Sequence, residues 1–241
     1  MERPNAWKTY NKTEMKKVEA LAEAYKDFLN KGKTERECVL YTVARLEKAG
    51  YVSLDSAIAE GKKLKPGDKV FLNQMGKAVV AFHIGKKPFE YGINIVGAHI
   101  DSPRIDLKQN PFYEDADFAM ADTHYYGGIK KYQWVARQLS MHGIVSKKDG
   151  TNVVICIGEK DSDPVIGITD LLIHLSQEQS EKKLGEAING ENLDIMLGGR
   201  PLSGEEKEPV KAQLLKILKD EYHIDEEDML SSFLGRNKLL N

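Results

Sequence analysis

Apolar residues recur at helical spacing over residues 11–30, where Met15, Val18, Leu21, Ala22, Tyr25, Phe28 and Leu29 share one face. Asn11-x-x-Glu14 forms a capping-box pattern ahead of the run, and Gly32 ends it. A second helix is predicted from Thr34-x-x-Glu37 through Val39, Val43 and Leu46, with Gly50 as a left-handed stop. After a turn at Leu64-Lys65-Pro66-Gly67-Asp68, two strands over residues 69–73 and 77–84 flank Gln74-Met75-Gly76 and read as a hairpin. His83 lies in its apolar stretch and reads as a core or edge histidine. Lys86-Lys87-Pro88 is a loop. Ile93, Ile95 and Val96 then predict a buried central strand over residues 93–98.

Beyond Pro103, Arg104-Ile105-Asp106-Leu107-Lys108 alternates polar and apolar, which suits a half-exposed strand. Asn110-Pro111 is expected to open an irregular loop with Glu114, Asp115, Asp117 and Asp122. That cluster lacks the spacing of a calcium-binding helix-loop-helix. Gly127-Gly128 marks a tight bend, without the pattern of a phosphate-binding loop. A hairpin is predicted from Leu139 to Ile157 around the turn Lys147-Lys148-Asp149-Gly150. Glu159 to Pro164 is a polar loop. Val165 to Leu175 is apolar, so its neighbours make His174 a packed histidine. Residues 181–192 read as irregular, and 192–197 as a short strand. Ser203-x-x-Glu206 is expected to cap a helix through Val210, Leu214, Ile217 and Leu218, with Pro209 in its first turns. Asp225 to Asp228 reads as the solvated end of that helix. No internal repeat is present, and the mixture of elements indicates an α/β fold.

Composition narrows the classes. Of 241 residues, 41% are apolar and 30% charged, as in a soluble globular protein. A formal net charge of -2 gives no basic field for nucleic acid or an anionic membrane. The apolar runs are too short to span a bilayer, and Met1 to Asn5 holds no signal-peptide core. Cys38 and Cys156 lie far apart and form no paired motif, so reduced thiols and a cytoplasmic location are expected.

The candidate chemistry sits just past the predicted central strand. His99 and Asp101 are two residues apart, so they share a face if the strand persists. Ser102-Pro103 then breaks regular structure, which puts a polar site at the C-terminal edge of a sheet. A satisfied histidine beside a turn-capping aspartate fits the same residues. No H-E-x-x-H helix, G-x-S-x-G elbow or cysteine metal box occurs.

Gly97-Ala98-His99-Ile100-Asp101-Ser102-Pro103 resembles the aspartyl aminopeptidase (aminopeptidase I-like) family of di-zinc metallopeptidases. The likeness continues through Thr123-His124-Tyr125-Tyr126-Gly127-Gly128-Ile129, Trp134 and Ile173-His174-Leu175, and spans roughly residues 5–230. Threonine is commoner in the family where Ile100 stands. The resemblance implies an aminopeptidase acting on peptides with two zinc ions. His99 would be a zinc ligand, and Asp101 would hold its imidazole in the ligating tautomer. Residues 1–103 would be the first part of the catalytic domain, and 104–224 an inserted β-rich dimerisation domain. His174 would reach a partner subunit's active site, within dimers that build larger particles, typically dodecamers.

The family's bridging aspartate, paired glutamates and later aspartate and histidine should follow the insert. Asp225-Glu226-Glu227-Asp228 precedes that point and has no apolar strand ahead of it. Residues 225–241 therefore read as a truncated or divergent return to the catalytic domain, and the chain is expected to be inactive alone. The alternative is a non-catalytic oligomerisation module of such an enzyme.

Overall fold

A computed structural model describes residues 3–231 and 233–234. The chain forms two compact units, Met1–Asp101 and Ser102–Asn241.

The first unit begins with helices α1 (Lys12–Lys31) and α2 (Glu35–Lys48), each started by the capping box its sequence predicts. The Asn11 side chain accepts from the N–H groups of Thr13 and Glu14, and the Glu14 carboxylate accepts from the Asn11 N–H at 2.8 Å. Thr34 and Glu37 repeat the exchange. A cap of this kind contributes about 1 kcal/mol. Gly50, at φ +82°, provides the left-handed stop. Two elements follow that are too short to leave a period in the sequence: β1 (Val52–Ser53) and helix α3 (Leu54–Ala59). Strands β2 (Lys69–Gln74) and β3 (Ala78–His83) form the predicted hairpin, and β1 joins β2 in parallel, so the order is β1-β2-β3. Val70 and Phe71 of β2 are buried, whereas His83 is exposed at the end of the edge strand.

The expected central strand over 93–98 is absent. These residues lie outside every strand, and Ile95 and Val96 are 80% and 98% exposed. Their apolar pattern is that of a buried strand, but a strand exists only by hydrogen bonding to neighbours. The described residues of this unit place none beside it.

The second unit opens with β4 (Arg104–Asp115) and β5 (Phe118–Tyr126), a long antiparallel hairpin. This corrects the loop expected from Asn110-Pro111. Asn110 takes φ +48°, and the register shifts between Leu107 and Phe112, so a bulge absorbs the residue that cannot donate. The turn is made by Ala116 and Asp117, both at positive φ, the signature of a two-residue hairpin loop. There follow β6 (Arg137–Leu139), β7 (Met141–Ser146), β8 (Asn152–Ile157), β9 (Ile166–Ile168), α4 (Gln177–Glu181), β10 (Ile195–Gly198), α5 (Pro209–Tyr222) and β11 (Phe233–Leu234). One sheet runs β4-β5-β10-β9-β6 and a second β11-β7-β8. Ile105, Leu107, Trp134, Leu193, Leu218 and Ile224 belong to one core between these elements.

Helix α5 is capped differently from the expectation. Ser203 and Glu206 lie outside it. Its first residue is Pro209, and the preceding Glu208 sits in the left-handed region with no capping bond of its own. The carboxylate of Glu114, on β4, accepts from the N–H groups of Val210 and Lys211 at 2.8 and 2.9 Å. The acidic run after α5 is not a solvated helix end either. It forms a 3-10 turn, Glu226–Ser231, in which buried Asp228 accepts from the N–H groups of Asp225 and Lys148. Glu227 pairs with Lys148, and Lys211 pairs with Glu226 at 2.9 Å. Ile224 and Met229, on either side, are in the core. Residues 232 and 235–241 of the expected tail lie outside the described residues.

Candidate metal centre

His99 and Asp101 are brought together without the strand that was expected to align them. The chain turns at Gly92 (φ +89°) after a 3-10 turn, Phe89–Tyr91, and runs irregularly to Pro103. His99 Nδ1 lies 3.0 Å from Asp101 Oδ1 and 2.9 Å from the Asp101 carbonyl oxygen. Both oxygens are acceptors, so Nδ1 carries the proton and Nε2 presents its lone pair. That is the tautomer in which a neutral imidazole binds a metal through Nε2. The His99 side chain is 83% exposed and that of Asp101 42% exposed, so this lone pair faces open space.

A structural or catalytic zinc takes three or four protein ligands. Among the described residues no group of three or more His, Cys, Asp or Glu side chains converges to hold one. The described residues therefore offer one histidine in ligating form and its supporting carboxylate, but not a complete donor set. The cleft between α1 and α2, lined by Phe28, Tyr41, Arg45 and Leu46, includes none of the expected site residues.

His174 lies in the second unit, on the 3-10 turn Ile173–Leu175. Its neighbours led to the expectation of a packed histidine. It is exposed, and so are Leu171, Leu172, Ile173 and Leu175. An apolar sequence context reports what a residue is built to meet, and that need not lie in the same chain.

The segment Thr123 to Ile129 is held firmly. Thr123 is buried and donates its hydroxyl to the Leu193 carbonyl at 2.7 Å. Its N–H donates to Asp194, which also accepts from the Tyr113 hydroxyl at 2.6 Å. Burial and then the Asp194 carboxylate push the Tyr113 phenol well above its ordinary value. Tyr126 carries the Arg104 guanidinium over its ring, 4.1 Å from the centroid, and Arg104 Nε donates to Asp106 at 2.7 Å. Gly127, at φ +75°, closes the bend, with Pro103 in van der Waals range of any Cβ placed there. The sequence places Arg104 on a half-exposed strand, but its stacking on Tyr126 depends on the strand pairing and leaves no local signal.

The family model "Aminopeptidase I zinc metalloprotease (M18)" matches residues 28–235. The chain is 53% identical over 231 residues to a probable M18 family aminopeptidase 1 of Clostridium acetobutylicum, covering 95% of this chain and 50% of that relative. A crystal structure of an M18 aminopeptidase from Thermotoga maritima superposes with a TM-score of 0.88 at 44% identity, covering 98% of this chain and 50% of the other. The crystal structure of aminopeptidase I from Clostridium acetobutylicum gives a TM-score of 0.86 at 50% identity, with coverage of 98% and 52%. The chain thus spans about half the length of the curated relatives it matches.

Proposed function

Because the chain belongs to the aminopeptidase I zinc metalloprotease (M18) family, we propose that it is the part of a zinc aminopeptidase that supplies one metal ligand and the dimer contact. The whole enzyme would remove N-terminal residues from peptides. Its two zinc ions would polarise the scissile carbonyl and lower the pKa of an attacking water.

His99 is the proposed ligand, through Nε2. Asp101 is the proposed orienting group: it fixes the proton on Nδ1 and holds the ring. The observation that carries this reading is the 3.0 Å contact of Nδ1 with Asp101 in a chain of this family. The unit Met1–Asp101 would belong to the catalytic domain, and the unit beginning at Ser102 to a dimerisation insert. His174 would act from one protomer in the site of its partner, which its exposure among apolar residues supports. Assembly in dimers, and in larger particles such as the dodecamer named for a yeast relative of this fold, fits the same surface. The two cysteines, Cys38 and Cys156, lie far apart and form no paired motif, which supports a cytoplasmic site of action. No described helix is long and apolar enough to cross a membrane.

The 241-residue chain by itself is expected to bind less than one equivalent of zinc and to show no aminopeptidase turnover, because its described residues gather no full ligand set. Metal content after dialysis, together with release of an amino-acid p-nitroanilide, tests this. Stoichiometric zinc with turnover in the purified chain overturns it. A non-catalytic assembly module is the second reading, favoured by the separate, well-packed core of the second unit. It predicts association with an intact relative and no effect of His99→Ala on any activity.

A further inference from the structure

The stretch that carries His99 meets its unit at Ile100. Residues 85–99 are all exposed, and Ile100 and Asp101 are the first half-buried positions after them. The Ile100 carbonyl oxygen lies 3.8 Å from the sulfur of Cys38, a contact of hydrogen-bond length for a thiol. The other side of this contact is built locally by the sequence. The Thr34–Glu37 capping box sets where α2 begins, and so the direction in which Cys38 points at the end of its first turn. Cys38 is buried, and its sulfur also lies 3.5 Å from the Gly32 carbonyl oxygen. Gly32 leaves the room: a Cβ there would stand 2.8 Å from the sulfur. Its φ is -103°, so the sulfur, and not a left-handed backbone, demands the glycine.

A thiol has one proton to donate, and both carbonyl oxygens accept, so the sulfur ties the connection between α1 and α2 to the peptide between Ile100 and Asp101. That peptide group is planar and leads directly into Asp101. Fixing its carbonyl fixes the course of the chain from which Asp101 Oδ1 and the Asp101 carbonyl oxygen reach His99 Nδ1. The His99 side chain is 83% exposed, so packing does little to hold its ring, and the balance between tautomers is left to these hydrogen bonds.

We propose that Cys38 is a positioning residue for His99: through the Ile100 peptide it keeps both Asp101 acceptors on Nδ1, and so leaves Nε2 unprotonated for metal. It touches neither metal nor substrate. The inference rests on the reading of His99 as a zinc ligand oriented by Asp101, and names the α2 residue that holds that pair in place.

The Cδ2 carbon resonance of the His99 imidazole tests this on the whole chain without metal, because it separates the Nδ1-protonated from the Nε2-protonated ring. It is read at about pH 8, above the ordinary histidine value of about 6.5. The parent should show an excess of the Nδ1-protonated form. Cys38→Ala should lower the ratio of Nδ1- to Nε2-protonated ring about 2- to 5-fold, the worth of one modest hydrogen bond. Gly32→Ala keeps the thiol but crowds the sulfur from its place, and should move the ratio in the same direction; either variant, once folded by circular dichroism, suffices. Val39→Ala is the control. Val39 is fully buried one position further along α2, about 100° round the helix. Its truncation should lower the thermal midpoint and leave the ratio unchanged. A ratio indifferent to the folded Cys38 and Gly32 variants, or one that falls as much in Val39→Ala, overturns the proposal and leaves the Asp101 reading intact. A parent with no excess of the Nδ1-protonated form overturns the Asp101 reading and this inference with it.

Discussion

At the residue scale, the pair His99–Asp101 carries the functional reading, and its value lies in which nitrogen holds the proton. Asp101→Ala removes the carboxylate acceptor and frees the ring to rotate and change tautomer. In a zinc-loaded fusion with the second half of the Clostridium acetobutylicum relative, zinc affinity should fall about 10- to 100-fold, the usual cost of losing an orienting partner. Competition with a chromophoric chelator measures this, and equal affinity would remove Asp101 from its role. A second residue shows the opposite kind of aspartate, one spent on structure. Asp163 accepts from the N–H groups of Lys160, Gly158 and Glu159 at 3.0, 2.9 and 3.1 Å, and the bond from Lys160 is the largest cause holding its carboxyl below the usual range. A depressed folded pKa stabilises above the ordinary carboxylate value, about 3.9. That contribution is lost as pH falls through the lower folded value. Asp163→Ala should therefore melt earlier at pH 7, with the gap to the parent narrowing below pH 4; a gap constant with pH would show that the charge is irrelevant.

At the element scale, two junctions are held by groups distant in sequence. The N-terminus of α5 depends on Glu114, 96 residues before Val210. Glu114→Ala should destabilise the protein by ~1 kcal/mol, the cost of a lost cap, as read from urea midpoints at constant m. Gly167 in β9 has the Arg137 carbonyl oxygen 2.6 Å from where a Cβ would stand. Gly167→Ala should cost roughly 1–3 kcal/mol by forcing β6 and β9 apart. These junctions also show what was legible in the sequence. Helices α1 and α2, the β2–β3 hairpin and the β7–β8 hairpin announced themselves because their signals are local: capping boxes, a period of 3.6 or 2, and an Asp-Gly turn. The cap of α5 could not be read, since its acceptor sits on another element. The β4–β5 hairpin was hidden by Asn110-Pro111, a bulge that imitates a loop. Residues 93–98 failed differently: their apolar pattern predicted a buried strand, and none forms, because the described residues set no neighbouring strand beside them. The site followed the same rule: His99 and Asp101 were found through a short local motif, whereas the exposure of His174 depends on surroundings that sequence spacing does not report.

At the scale of the whole molecule, the exposed apolar run on the second unit decides how the chain behaves in solution. Leu172 and Ile173 are 70% and 77% exposed, with Leu171 and Leu175 also open to solvent. Isolated apolar residues on a surface need no explanation, but a contiguous cluster of this kind marks an interaction site. The cluster flanks His174, so contact there would carry the histidine into a neighbouring protomer, as the proposed function requires. The turn that presents it is closed by the Leu175 N–H donating to the Leu172 carbonyl at 2.8 Å, and the adjoining Ser176 is buried. Little ordering entropy is then lost on association, which favours affinity at a given area. The second unit should pair with itself, because its own core is already closed. Light scattering at ~10 μM should give at least the mass of a dimer, a concentration ordinary for specific protein pairs. Ile173→Asp places a charge at the centre of the contact and should weaken pairing at least ~100-fold, leaving monomer at the same concentration. Since Ile173 is exposed within one chain, circular dichroism and the thermal midpoint of the monomer should not change. A parent that is already monomeric, or a variant that remains dimeric, would place self-association elsewhere and withdraw His174 from any role in a partner's site.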